Sequence, residues 1–343
     1  MPSRPHRPRS SSRRAGSPQR RRPVRTLLLL ALAVSVVVAF THPASLTALV
    51  QPPAPRAEVI ATPEPVGLSG AVDLTVALPG DSVTMPMQLG PDSAGLRYEW
   101  VPVGDSVRPA LTLPLGNEPL YAPAKPGFYH LALVRDTEQL LLGRPALAVM
   151  VPFEEKRGGR INNYRIGTYR GERRGSEAHP PGFLVVQSNE TDLRVSDHLR
   201  LGDFITHDRQ QDVWPKYLAL DPRVLDKLEL VMAELEQGPS RSEPMQLEID
   251  VHSGFRTPLY NRTVPRAADD SRHQYGDAAD VTLDANGDGK INRADIADIV
   301  RAVDSVEARH PELVGGLGIY TSRRYPTPYV HIDTRGVRQR WRG

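Results

Sequence analysis

The ten residues Ser271-Arg272-His273-Gln274-Tyr275-Gly276-Asp277-Ala278-Ala279-Asp280 set a histidine and an aspartate seven positions apart. The small residues between them allow the chain to turn back, so that both side chains face one point. Outward from this stretch, Leu247–Val251 is apolar at alternating positions and runs into Ser253-Gly254-Phe255-Arg256. Downstream, Tyr329-Val330-His331-Ile332-Asp333 reads as a strand, whose period of two puts His331 and Asp333 on one face. Upstream, Phe183–Val186 is a further strand. Asp221 caps a helix with Pro222 in its first position, and Val224, Leu225, Leu228, Val231, Met232 and Leu235 share one side of it. A 3.6-residue period beside period-two strands predicts an α+β domain over 183–343.

Two imidazoles and one carboxylate with an open fourth position suit a hydrolytic zinc ion, which acidifies bound water and polarises a carbonyl. His273, Asp280 and His331 are the candidates. The chain has no cysteine, which excludes a disulfide framework, a Cys-ligated metal and a cysteine nucleophile. His130, His179, His198, His207, His252 and His310 lack ligand spacing.

S-x-H-x-x-G-x-A-x-D at 271–280, SGFRTPLYN at 253–261 and YVHID at 329–333 together resemble the zinc D-Ala-D-Ala carboxypeptidases and murein endopeptidases with the hedgehog-like fold. The resemblance covers 183–343 and implies zinc ligation by His273, Asp280 and His331, with peptidoglycan stem peptides or cross-links as substrates. Many members place an acid or a histidine three residues before the last zinc histidine. That position is Pro328, which can neither take nor give a proton. Asp333, on the ligand face of its strand, is the substitute general base, or else a partner that orients a ligand imidazole. Arg256 corresponds to the arginine of the family's SGYR motif and is expected to bind the substrate carboxylate or oxyanion, or to form a structural ion pair. Ser271 either hydrogen-bonds in the substrate cleft or shapes the loop.

The next segment, Asp284-Ala285-Asn286-Gly287-Asp288-Gly289-Lys290-Ile291-Asn292-Arg293-Ala294-Asp295, matches a calcium-binding EF-hand dodecad. Asp284, Asn286, Asp288, Asn292 and Asp295 offer side-chain oxygen, Lys290 its backbone carbonyl, and Gly287 the sharp turn. Asp at the last position, where Glu is usual, resembles dockerin loops. A helix follows, with Ile296, Ile299, Val300 and Val303 on one face. One loop without a partner loop argues for a rigidifying Ca2+ rather than a sensor.

The rest of the chain bears on place rather than chemistry. Of 343 residues, 43 are Lys or Arg and 40 Asp or Glu, a net +3. Nine arginines and no acid fall in residues 1–25, and the remainder carries a net −6. The basic character therefore belongs to a tail, and a nucleic-acid-binding body is not indicated. The uncharged run Leu27–Phe40 after a basic flank reads as an export signal or anchor. Phe40–Pro43 offers no small-x-small cleavage site, which favours an uncleaved anchor over 26–45 above secretion after cleavage. The arginines then lie in the cytoplasm and the body in the periplasm or cell-wall space.

Six prolines in 43–65 predict an extended spacer over 46–65. Alternating segments at 72–78, 82–89, 96–103, 127–134 and 145–151 predict an all-β, immunoglobulin-like sandwich over 66–152. A basic, turn-rich connector over 153–182 follows it. Two other functions stay open: a non-catalytic cell-wall or partner-binding module with structural zinc and calcium, and a peptidase of secreted proteins. Oligomeric state and bond specificity are not encoded legibly.

Overall fold

The computed structural model describes residues 61–343 apart from 91–94, 109–111, 117–118, 239–244 and 322–326. The arginine-rich tail, the expected anchor and most of the expected spacer lie outside the described residues. No helix among those described is long and apolar enough to cross a membrane.

The N-terminal half of the described chain is built on a five-stranded sheet in the order Leu74–Ala77, Glu138–Val149, Gly127–Arg135, Arg97–Pro102, Leu113–Pro114, with only the first pair parallel. Two short ribbons join it, Ser82–Val83 with Leu120–Tyr121 and Ala61–Pro63 with Met87–Leu89. The single strand expected over 82–89 is thus two. Pro86 between them has no N–H to donate, and its carbonyl accepts instead from Glu64 N.

Both faces of this sheet are buried. Leu131, Leu133, Leu147 and Val149 point to a local core with Val83, Met85 and Leu120. Leu74, Phe128, Ala146 and Ala148 point the other way, into the large core of the C-terminal half. Continuous burial on two faces explains why 145–149 reads as an unbroken apolar run rather than an alternation. The chain passes directly from this sheet into a three-stranded one, Val151–Pro152, Gly182–Val186 and Lys216–Leu218. Between the first two of those strands lie the hairpin Arg160–Ile161/Tyr164–Arg165 and the short helix Arg170–Arg174.

The C-terminal sheet has the order Asp250–Ser253, Ala278–Thr282, Tyr329–Asp333, Gly316–Tyr320, Gln339–Arg342, antiparallel except for the last pair. Val281, Leu317, Val330 and Ile332 share a core with the helices Pro222–Gln237 and Arg293–Arg309. The first helix begins at Asp221, whose side chain accepts from Arg223 N, and all six apolar positions expected on its inner side are buried. On the opposite side of the sheet, Ser253, Asp280, His331, Gly318 and Trp341 stand in register across all five strands. The fold thus lays one row, polar at Ser253, Asp280 and His331, across a sheet whose other side is sealed.

Candidate metal centre

His273 comes from the 3-10 turn Arg272–Tyr275, which Gly276 ends in the left-handed conformation (φ 76°). A Cβ at Gly276 would lie 2.2 Å from the Ala219 carbonyl oxygen, so only glycine fits here. Reversing at Gly276 returns the chain into the strand carrying Asp280, as the small residues between the two side chains suggest.

His273 Nε2 lies 3.0 Å from His331 Nδ1 and 3.2 Å from Asp280 Oδ1, and His331 Nδ1 lies 2.9 Å from that same oxygen. Among the described residues this is the one group of three His, Asp or Glu side chains whose candidate ligand atoms converge within 4.8 Å. All three are buried. Tetrahedral zinc with bonds of about 2.0–2.1 Å spaces its ligand atoms about 3.3 Å apart, close to this triangle.

The imidazoles are oriented to suit. His273 Nδ1 is 2.7 Å from the Gly254 carbonyl, an obligate acceptor, so the proton sits on Nδ1 and the lone pair of Nε2 faces the triangle. His331 Nε2 is 3.0 Å from Asp333 Oδ2, which turns Nδ1 inward in the same way. Asp280 uses Oδ1 in the triangle, while Oδ2 accepts from Arg256 Nη2. The donor set, spacing and tautomers fit zinc.

Electrostatics follow the geometry. Burial pushes His273 below the ordinary histidine range. At His331 burial opposes the charge too, but hydrogen bonds to Asp280 and Asp333 outweigh it and hold the group above its usual value. Burial alone would raise Asp280; His273 and His331 reverse this and keep it well below the carboxylate range.

Asp333 stands behind His331, outside the triangle. It is fully buried, and its carboxylate also accepts from Gly316 N (2.7 Å), Arg335 N (3.1 Å) and the Arg335 guanidinium. Burial would raise it, yet His331 and Arg335 hold it far below the carboxylate range. Arg256 is paired with Asp280, and its Nε donates to Ser253 Oγ (2.7 Å). Ser271 precedes the 3-10 turn and lines the cleft above the triangle, without capping that turn through its side chain. Pro328 contributes only its carbonyl, which accepts from Thr282 Oγ1 (2.8 Å).

The cleft holds about 440 Å³. One wall is aromatic: Tyr320 stacks on Tyr329 (centroids 4.5 Å apart), and His252, outside the lining, also stacks on Tyr329 (5.8 Å). His252 reaches that place because the pairing of its strand shifts register between Val251 and Ser253. Trp341 lies 5.2 Å from the His331 ring and donates from Nε1 to Tyr320 Oη (2.9 Å). Gly318 makes room for it, since a Cβ there would touch the indole at 2.5 Å. Sequence spacing marks neither Trp341 nor Tyr320, and no local signal ties residue 341 to residue 331.

The loop 284–295 forms with Gly287 at φ 75°. Asp284 accepts from Gly287, Asp288 and Gly289 N, Asn286 Oδ1 from Asp288 N, and Asp288 Oδ1 from Lys290 N. Asn292 and Asp295 form the capping box of the helix Arg293–Arg309. The carboxylates of this loop do not converge as the His–Asp–His triangle does.

Residues 226–333 match the family model described as Peptidase M15, which supports a zinc metallopeptidase of M15 type. The match contains His273, Asp280 and His331 and ends at Asp333. No curated protein and no solved structure matches the chain.

Proposed function

We propose that this chain is a zinc-dependent peptidoglycan peptidase, a D-Ala-D-Ala carboxypeptidase or a murein endopeptidase. The observation that carries the reading is the His273–Asp280–His331 triangle, with both imidazole lone pairs turned inward at the base of a cleft. Zinc held by these residues supplies Lewis acidity toward a peptide carbonyl and toward water. The protein's own parts do the rest. Gly254 and Asp333 fix the two imidazoles by holding a proton on His273 Nδ1 and His331 Nε2. Arg256 spreads the Asp280 charge and keeps its second oxygen occupied. Tyr320, Tyr329 and Trp341 restrict water along one wall. The test is incubation of the full chain with sacculi and zinc, followed by muropeptide analysis. New products that are lost with His273→Ala support the reading; an unchanged profile on every cross-link type refutes it.

One observation favours the second reading, a wall-binding module without turnover. Pro328 offers no proton carrier and Asp333 lies behind His331, so apart from Asp280 the cleft carboxylate is Asp270, bonded to Tyr275 Oη (2.6 Å). Retention of the zinc-loaded protein on sacculi without product release is its signature.

The surroundings fit the same proposal. Residues 26–45 anchor the chain with its arginines in the cytoplasm, and the β-rich segment 66–152, an immunoglobulin-like sandwich, carries the catalytic part toward the wall. The 284–295 loop binds calcium and stiffens the segment that follows Asp280. Its support is the order of oxygen-bearing residues, with glycine at the turn. Chelation of calcium that left both the melting temperature and the zinc affinity unchanged would remove this role.

A further inference from the structure

Four arginines line the cleft: Arg256, Arg266, Arg272 and Arg335. Three are bound to buried carboxylates of the protein, Arg256 to Asp280, Arg272 to Asp277 and Arg335 to Asp333. Arg266 is exposed, and among the described residues it has neither a hydrogen bond nor an ion pair. It also holds a backbone conformation that side chains resist, with φ 63°. The cause is a tight turn: Ala267 N donates to Val264 O (3.2 Å), with Pro265 second and Arg266 third in the turn. Proline second and positive φ third is the type II signature, and glycine is the residue that adopts the third position without strain.

The turn is not loose. Buried Asn261 donates from Nδ2 to Ala268 O (2.8 Å), Gln274 donates from Nε2 to Asp269 O (3.0 Å), and Arg173 grips the Asp269 carboxylate with both bonds below 3 Å. A pinned turn therefore presents a strained, unpaired cation at the mouth of a cleft whose other guanidinium groups are already neutralised. Strain kept at a site, against an easier residue, points to use of the side chain placed there.

We propose that Arg266 is a specificity residue that anchors a carboxylate of the peptide substrate, and that Arg256 does not serve this purpose. The inference rests on the peptidase reading and narrows its substrates to peptides carrying a free acid within reach of the metal row. That acid is either the C-terminal carboxylate or a side-chain one.

The test uses calorimetry on the zinc-loaded full chain and three non-hydrolysable pentapeptide analogues with a reduced terminal peptide bond. One ends in a free carboxylate, one in an amide, and one is amidated but carries a single side-chain acid. Wild type binds one acid-bearing analogue about tenfold or more tighter than the neutral one, the scale of a charge-assisted hydrogen bond, and the tighter of the two identifies the source. Arg266→Gly removes the preference while raising the melting temperature, because glycine relieves the turn; Arg266→Lys keeps part of the preference. Equal binding of all three analogues by wild type overturns the proposal, and so does a preference that survives Arg266→Gly. In both cases peptide binding itself remains. Failure of every analogue to bind wild type instead refutes the peptidase reading, and the proposal with it.

Discussion

Asp280 and His331 are direct partners across two antiparallel strands, and the Asp280 Oδ1 to His331 Nδ1 separation is 2.9 Å. Two of the three ligand candidates thus owe their geometry to sheet register rather than to loops. A one-residue slip of either strand would send its own member of the pair to the sealed side of the sheet. Only His273 is delivered by a turn, and Gly276 and the Gly254 carbonyl restrain it.

Asp333→Asn is expected to weaken zinc binding roughly 10–100-fold, the usual cost of losing a partner that orients a ligand imidazole. The amide leaves His331 Nε2 without an anionic acceptor and removes the ion pair with Arg335. Chelator competition measures the affinity. An unchanged value means that Asp333 does not orient His331.

Gly318→Ala is expected to displace Trp341 while leaving zinc stoichiometry intact. The added carbon would meet the indole at 2.5 Å, and Trp341 has open cleft on one side. Tryptophan emission and hydrolysis of a stem peptide should both change, with one zinc per chain retained. Loss of zinc would instead show that the strand itself had moved.

Lys227 is fully buried and joins three elements: Nζ donates to Glu307 Oε1 (2.7 Å) and to the Asp333 carbonyl (2.8 Å). Burial lowers its pKa, against the pull of Glu307. Lys227→Met leaves Glu307 with only Arg340 and Arg338 for charge and is expected to cost about 3 kcal/mol. Denaturant unfolding of Lys227→Met, Glu307→Gln and the double variant checks this. The double variant should lose less than the two single losses added together.

His198 donates into two glutamates, with Nδ1 2.7 Å from Glu229 and Nε2 3.3 Å from Glu236. The Glu229 bond, working against burial, pushes it up to about 9 from the ordinary value of about 6.5. A raised folded value means that the stabilisation is complete below pH 6.5 and disappears as pH rises through about 9. The melting temperature should therefore fall over that window, and His198→Gln should flatten the fall.

The convergence of His273, Asp280 and His331 is legible in the sequence because its signals are local: a seven-residue spacing around Gly276, and alternation along Tyr329–Asp333. The capped helix after Asp221 was legible for the same reason. Spacing does not mark His198, because its acceptors, Glu229 and Glu236, sit more than thirty residues away on a helix. Trp341 escaped because the last strand pairs parallel to Gly316–Tyr320, a choice that depends on the assembled sheet. Alternation puts Asp333 on the same strand face as His331, but whether it joins the triangle or stands behind it depends on Arg335 and the Gly316 amide, and no periodicity records that.

The sheet over residues 74–149 does more than precede the cleft. Asp226, in the helix Pro222–Gln237, accepts from Leu68 N (2.7 Å) and Ser69 N (2.8 Å), and Asp73 N donates to Val195 O (2.8 Å). Arg144 reaches both Asp73 and Asp197. With Phe128, Ala148 and Met150 buried in the same core as Ile299 and Val330, this half is mortised into the other, with no swivel between them. It acts as a rigid handle, so the direction in which the cleft opens is fixed relative to this sheet. A protein trimmed to the matched segment 226–333 would leave a broad apolar face bare, and aggregation rather than a smaller enzyme is the expected product.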